Sequence, residues 1–130
     1  CLYADLGIDP GALGCQHYEA NQFLVYKRAV DTAAYLVLWQ VGVAGDFSSA
    51  VFTSSALQRK KLTDKLLSIY QADDNAILYE AATLPIEEFR ATTIAIGDLH
   101  NHEINQHSTL VIPPVSKPVI DDFDYSKGNN

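Results

Sequence analysis

The sequence has few basic residues and no apolar run long enough to cross a membrane. Nine Lys and Arg stand against 16 Asp and Glu, which gives a formal net charge of -7. Binding to a nucleic-acid backbone depends on neutralising its phosphates, so this charge excludes nucleic acid as a general partner. The uncharged stretch 32–44 is shorter than the roughly 20 residues that a transmembrane helix needs. Protein or small-molecule partners are therefore favoured.

The signatures of several enzyme classes are also missing. No combination of Ser, His and Asp can be assigned to nucleophilic hydrolysis. Gly42 and Gly45 do not form a phosphate-binding loop, because neither the required Lys nor a following helix is present. We therefore expect a non-enzymatic binding or assembly protein without a cofactor, working as a subunit or accessory factor of a protein complex or as a homo-oligomer.

Methionine is absent, and the two cysteines are Cys1 and Cys15. A chain without an initiator Met that starts at Cys resembles a mature bacterial lipoprotein, whose signal peptide is cut directly before the lipidated cysteine. Three states are open: a lipid on Cys1, a disulfide between Cys1 and Cys15, or two thiols. The first two need export from the cytoplasm. We expect the periplasmic face of an outer membrane or the extracellular space, with trimming of the chain as the alternative.

Length and composition predict one domain followed by an arm. The chain has 130 residues, 48% of them hydrophobic, which is enough for a single core. We assign residues 1–112 to a globular domain with a looped N-terminal lead, and residues 113–130 to an extended C-terminal arm. Prolines at 113, 114 and 118 remove backbone donors. From Thr109 onward we therefore expect neither helix nor central strand.

The pattern of apolar residues predicts a small α+β fold. An amphipathic helix is expected at about 56–72, after a capping box that begins at Ser55. Residues 35–43 favour a buried strand that holds Trp39 in the core, with 23–29 as its neighbour, although 29–41 also fits one helical face. Two further strands are predicted at 75–80 and 92–96, and a short helix is predicted between them at 83–88.

The string from Ile94 to Asn101 contains a possible metal motif. It resembles the first motif of calcineurin-like metallophosphoesterases, in which a strand ends in Gly-Asp-x-His and the Asp and His bind metal. The matching positions are Asp98 and His100. Only thirty residues follow His100, and they do not supply the family's later Asp, Asn and His motifs in order. We therefore treat this likeness as coincidental.

A metal site outside that family is a separate hypothesis. Four potential ligands lie within eight residues, namely His100, His102, Glu103 and His107. His100 and His102 share one face of a strand, whereas His100, Glu103 and His107 share one face of a helix. The alternative to a binding protein is thus a protein that binds a divalent metal at these residues, or a metal-dependent hydrolase in which Asp98 joins the site. The simpler interpretation is a solvated polar turn.

Two charged surfaces are candidates for partner binding. The predicted helix gathers four of the nine basic residues on its polar side, namely Arg59, Lys60, Lys61 and Lys65. The arm carries acidic and aromatic residues that suit a basic groove, namely Asp121, Asp122, Phe123, Asp124 and Tyr125. The arm could contact the basic helix in its own chain or in a neighbour, while a solvated helix face is the alternative for the basic residues.

Overall fold

The computed structural model describes residues 2–8, 10–39, 56–80, 89–102, 104 and 108–123. The helices among them are α1 Leu2–Leu6, α2 Pro10–Leu13, α3 Ala20–Val25 and α4 Ala56–Leu67, together with a 3₁₀ helix, Ile96–Asn101. The strands are β1 Cys15–Glu19, β2 Tyr35–Trp39, β3 Asn75–Glu80, β4 Arg90–Ala95 and β5 Thr109–Ile112. Helices and strands share one small domain, which confirms the α+β prediction.

The strands form one mixed, five-stranded sheet in the order β1-β2-β5-β3-β4. β1 and β2 are parallel, and the other neighbouring pairs are antiparallel. Strands β1, β2 and β3 consequently run in the same direction. Their C-terminal ends meet at one side of the sheet, which we call the carboxyl edge.

The main core lies between one face of the sheet and α3, α4 and the 3₁₀ helix. Leu62 and Leu66 of α4 are fully buried there, whereas Lys60, Lys61 and Asp64 are exposed. This alternation makes α4 the expected amphipathic helix, although it ends at Leu67 instead of residue 72. None of the described helices is long and apolar enough to cross a bilayer.

The opposite face of the sheet is covered by α1. Leu2 packs there against a second group of buried side chains, namely Val37, Tyr79 and Val111. Because helices cover both faces, β5 is buried at all four of its positions. Two-sided burial explains why β2 is apolar throughout and why three of the four residues of β5, Leu110–Ile112, are apolar.

Three local predictions are wrong. Thr109–Ile112 is the central strand of the sheet, since the prolines at 113 and 114 follow the strand without interrupting it. The expected strand at 23–29 overlaps helix α3, which starts where the Glu19 carboxylate accepts a hydrogen bond of 3.0 Å from the Gln22 amide. The N-terminal lead contains two short helices, α1 and α2, in addition to its turns.

Other predictions agree with the structure. Strand β3 spans 75–80 as expected, and β4 begins two residues before the predicted 92–96 strand. Beyond β5, residues 113–123 are free of helix and strand. The short helix predicted at 83–88, and residues 40–43 of the strand predicted at 35–43, lie outside the described residues.

Candidate functional site

An aromatic cluster of Tyr3, His17 and Trp39 lies on the sheet face that α1 covers. The two strands beneath it are parallel and in register, with His17 opposite Val37 and Glu19 opposite Trp39. Residues two apart on a strand share a face, so Trp39 lies on the same side as the buried Val37. Trp39 ends β2 at the carboxyl edge and is 37% exposed. The expectation that Trp39 is a core residue is therefore wrong.

Hydrogen bonds join the three rings of this cluster. Trp39 Nε1 donates to His17 Nδ1 at 3.3 Å, and the two rings are 11° from parallel with centroids 5.9 Å apart. The Tyr3 hydroxyl contacts His17 Nε2, with its ring edge-on to the imidazole. A neutral imidazole has one donor and one acceptor nitrogen. Acceptance at Nδ1 thus assigns the proton to Nε2, which donates to the Tyr3 oxygen.

The Cys15 thiol extends the cluster along β1. Burial raises the pKa of the Tyr3 hydroxyl, and a hydrogen bond and charge interaction with Cys15 raise that pKa further. Burial also raises the pKa of the Cys15 thiol, while the hydrogen bond with Tyr3 acts in the opposite direction. Cys15 is a free, half-buried thiol. A raised pKa keeps it protonated, so Cys15 is not an activated nucleophile.

A second polar contact connects α1 to the sheet. The Tyr79 hydroxyl donates a hydrogen bond to the Asp5 carboxylate. Burial, followed by this hydrogen bond and the negative charge of Asp5, raises the pKa of Tyr79 to about 12. The Tyr79 ring also packs against Phe89, with the ring centroids 5.9 Å apart. Tyr3 and Asp5 therefore attach the short helix α1 at two points above the sheet.

The basic residues predicted to bind a partner make several contacts within the domain. Lys60 forms an ion pair with Asp64 at 2.7 Å, and Arg59 Nε donates to the His100 carbonyl at 3.4 Å. Lys65 Nζ donates to the backbone carbonyls of Phe23 and Leu24 in α3, the latter at 3.2 Å, and to that of Tyr26 just after α3 at 3.0 Å. Lys61 is exposed. A role of this helix in partner binding stays a prediction.

The predicted metal ligands are only partly within the described residues. Asp98 and His100 lie in the 3₁₀ helix, with Asp98 exposed and His100 and His102 half-buried. The Nδ1 atom of His100 is buried without a hydrogen-bond partner. The predicted ligands Glu103 and His107 lie outside the described residues. Within the described ranges, no three His, Cys, Asp or Glu side chains are grouped as a metal site, and the metal hypothesis stays a prediction.

The C-terminal arm is attached to the domain at its base. The Val115 amide donates to the Thr32 carbonyl at 2.9 Å, and the hydroxyls of Thr32 and Ser116 are 2.9 Å apart. Asp121, Asp122 and Phe123 are exposed beyond this attachment. Asp124 and Tyr125, the other predicted partner-binding residues of the arm, lie outside the described residues, as does Cys1 with its predicted lipid or disulfide.

The aromatic cluster was not predicted from the sequence. Tyr3, His17 and Trp39 follow no common spacing along the chain, because tertiary packing brings them together. A strand at 15–19 was not predicted either, since Cys-Gln-His-Tyr-Glu is polar and short. The parallel pairing of β1 with β2, visible only in the structure, marks the site, because ligands in α/β sheets often bind at the carboxyl ends of parallel strands.

No family model matches the chain. Sequence similarity is nevertheless extensive to fungal proteins that combine a methyltransferase with a peptide precursor. The chain is 40% identical over 120 residues to the methyltransferase/ribosomally synthesized cyclic peptide gymnopeptides precursor of Gymnopus fusipes. It is 40% identical over 120 residues to the type I borosin cyclic peptide precursor of Coprinopsis marcescibilis, and 36% identical over 123 residues to the omphalotin A precursor of Omphalotus olearius.

These relatives overturn the lipoprotein prediction. The prediction of a bacterial, non-enzymatic, exported lipoprotein at an outer membrane is wrong, because the similar proteins are fungal and are named methyltransferases. An N-terminal Cys is too little sequence to indicate a lipoprotein when nothing else in the chain supports it. The alignments cover 88% to 90% of this chain but only 28% to 31% of those three relatives. The chain is thus similar to somewhat less than a third of a methyltransferase/peptide precursor.

Proposed function

We propose that this chain contributes to a methyltransferase that acts on a ribosomally synthesized peptide. The observation that carries the proposal is 40% identity, over 88% of the chain, to a protein named both as a methyltransferase and as a cyclic peptide precursor. Because such relatives combine enzyme and precursor in one polypeptide, a peptide joined to the enzyme itself is the substrate class that we propose.

S-adenosylmethionine is the proposed methyl donor, since it supplies an electrophilic methyl group on a sulfonium ion. A cation of this kind is attracted to aromatic faces and to negative charge. The part of Trp39 that is exposed offers such a face at the carboxyl edge, and the chain as a whole has a net charge of -7. The aromatic cluster therefore fits a sulfonium donor, and its residues would bind and orient it.

The contacts of His17 define its proposed role. Trp39 occupies Nδ1 of the ring and Tyr3 occupies Nε2, so neither nitrogen is open to accept a proton from a substrate. His17 would instead fix the orientation of the Trp39 indole. In this proposal His17 is a positioning residue, and the proton lost by the methylated nucleophile goes to another acceptor.

Isotope transfer tests the proposed activity. The protein purified from its native source is incubated with S-adenosylmethionine labelled in its methyl group, and its peptides are analysed by mass spectrometry. We expect label on backbone or side-chain atoms of a peptide joined to the enzyme. Absence of label from every peptide would refute the methyltransferase proposal.

Binding of the donor tests the proposed role of the aromatic cluster. Trp39→Leu should weaken the binding of S-adenosylmethionine roughly tenfold, because a cation–π contact of about 1 kcal/mol and apolar contact area are lost. Calorimetry on the protein used for isotope transfer, with and without the substitution, measures the two affinities. Tyr26→Leu is the matched control, since Tyr26 is 54% exposed at the end of α3. Equal affinity of the two variants would remove the aromatic cluster from the donor site.

A further inference from the structure

We propose that Arg28 anchors a docking site for an acidic peptide segment, whose carboxylate binds the guanidinium and whose apolar side chains contact Val25 and Tyr26. The site lies at the end of α3, on the sheet face opposite the aromatic cluster. Tyr18 packs against the main core on that face, whereas its neighbour His17 points to the other face of β1. Binding of the peptide requires neither methyl transfer nor a bound donor.

Two tyrosine rings hold the Arg28 side chain. Its guanidinium carbon lies 5.0 Å from the centroid of the Tyr18 ring and 5.5 Å from that of the Tyr26 ring. Both distances are within the roughly 6 Å at which a cation is attracted to an aromatic face. Tyr18 is itself fixed, since its ring packs against the fully buried Phe23 with the centroids 6.2 Å apart. The rings therefore restrict Arg28 before a ligand arrives, which lowers the entropic cost of binding.

The hydrogen-bond donors of Arg28 are available to a ligand. The guanidinium carries several N–H donors in a planar fork that matches the two oxygens of a carboxylate. The faces of the tyrosine rings attract its positive charge but offer no oxygen lone pair to these donors. Among the residues that the structure describes, none accepts a hydrogen bond from Arg28 or forms an ion pair with it. Because Arg28 is also exposed, a carboxylate can reach it from solvent.

Positive charge accumulates at this end of α3. Lys27 is exposed next to Arg28, and Lys65 of α4 donates to the Tyr26 carbonyl at 3.0 Å. Burial lowers the pKa of Lys65, and the positive charge of Arg28 lowers that pKa further. An anion bound beside these cations would reduce their mutual repulsion. The chain as a whole has a formal net charge of -7, which confines its attraction for an acidic peptide to local groups of cations.

Apolar side chains beside Arg28 favour a peptide over a small inorganic anion. Val25 and Tyr26 are 56% and 54% exposed at the end of α3. Contact with them adds hydrophobic stabilisation that phosphate cannot gain. Arginine and tyrosine are also among the side chains that most often anchor protein interfaces. We therefore expect the bound segment to carry aspartate or glutamate flanked by apolar residues.

Fluorescence anisotropy of a dye-labelled peptide of alternating aspartate and leucine tests the site. The full chain should bind this peptide, and Arg28→Gln should raise the dissociation constant at least about tenfold, because charge-assisted hydrogen bonds are lost. Arg90→Gln on β4 is the matched control, since Arg90 is also exposed and the same charge is removed. Circular dichroism checks that each variant is folded. Equal dissociation constants for the two variants, or no binding to the wild type at up to roughly 1 mM peptide, would overturn the proposal.

Three further measurements test the chemistry of the ligand. A peptide of alternating asparagine and leucine should bind at least about tenfold more weakly than the aspartate peptide. Arg28→Lys keeps the charge but not the planar fork, so its affinity should lie between those of the wild type and Arg28→Gln. Inorganic phosphate should displace the labelled peptide only at concentrations at least about tenfold above those of the unlabelled peptide. Displacement by both at equal concentration would overturn the peptide as the occupant of the site.

Discussion

The imidazole of His17 connects two elements that are far apart in the sequence. It accepts a hydrogen bond from Trp39 on β2 and contacts Tyr3 on α1. Fixing both ring nitrogens sets the tautomer and the plane of the ring. The orientation of the exposed indole therefore depends on the attachment of α1, which relates the N-terminal helix to the proposed donor site.

Substitution of His17 tests this dependence at the residue scale. His17→Phe keeps an aromatic ring beside Trp39 but removes the acceptor of its indole N–H, and we expect the free energy of unfolding to fall by about 1 kcal/mol. The indole N–H resonance of Trp39 should also move towards its solvent-exposed position. Because Trp39 is the single tryptophan, this signal is unambiguous. His102→Phe is the control, and an equal resonance shift in that variant would contradict the assignment.

Tyr79 predicts an alkaline loss of stability. Its folded-state pKa of about 12 lies above the ordinary value of about 10 for tyrosine. Protonated Tyr79 therefore stabilises the fold fully below about pH 10, and this contribution is lost as the pH rises towards 12. Tyr79→Phe should reduce the decline in unfolding free energy over that interval, measured by urea unfolding at fixed pH. If the unfolding free energy of Tyr79→Phe declines as steeply as that of the wild type, the alkaline loss of stability belongs instead to Tyr3 and Tyr70, whose pKa values are also raised.

At the scale of elements, Lys65 joins two helices through a backbone contact. Helix α3 has only six residues, and the carbonyls at its end have no partners within the helix. The ammonium of Lys65 on α4 reaches the carbonyls of Phe23, Leu24 and Tyr26. A cation at the C-terminus of a helix is also favoured by the helix dipole. This contact fixes α3 against α4 over the core face of the sheet.

Removal of this cation should destabilise the domain. Lys65 Nζ lies 4.9 Å from the centroid of the Phe23 ring. Lys65→Met keeps most of the side-chain length above this ring but leaves the carbonyls without their donor, so we expect a loss of about 1–2 kcal/mol in unfolding free energy. Lys61→Met on the exposed side of the same helix is the control and should change stability by less than about 0.5 kcal/mol. Chemical denaturation measures both. Similar losses in the two variants would show that the carbonyl contacts contribute little.

Local sequence signals predicted some elements and not others. Helix α4 and strand β3 were predictable because their apolar periodicity agrees with their final environment. Strand β5 was not, since Pro113 and Pro114 directly follow four residues that are buried between the other strands. Helix α3 was not either, because Phe23 and Leu24 suit a strand as well as a helix, and the Glu19 cap and the Lys65 contact decide the outcome. The aromatic cluster depends on these tertiary placements.

For the whole molecule, the exposed arm predicts that folding and association can be separated. A chain that ends after Pro118 retains the Thr32 contacts of Val115 and Ser116 but lacks the acidic and aromatic residues predicted to bind a protein partner or a second copy. We expect its melting temperature to stay within roughly 3 °C of the full chain, because the described residues among those removed, 119–123, are exposed. Removal of exposed side chains seldom costs more than about 0.5 kcal/mol. Self-association should be lost. Calorimetry and sedimentation measure the two properties, and a large drop in melting temperature would place the arm within the fold.

The position of β5 in the sheet has a consequence for synthesis of the protein. Among the strands that the structure describes, the pair β1-β2 and the pair β3-β4 are joined in the sheet only through β5, which follows all four in the sequence. Until Ile112 has left the ribosome, the nascent chain can form two separate strand pairs with unpaired edges at Leu36–Leu38 and Ile77–Tyr79. Such edges are prone to association. Emergence of Thr109–Ile112 from the ribosome therefore ends the interval in which the two strand pairs expose these edges to misassembly.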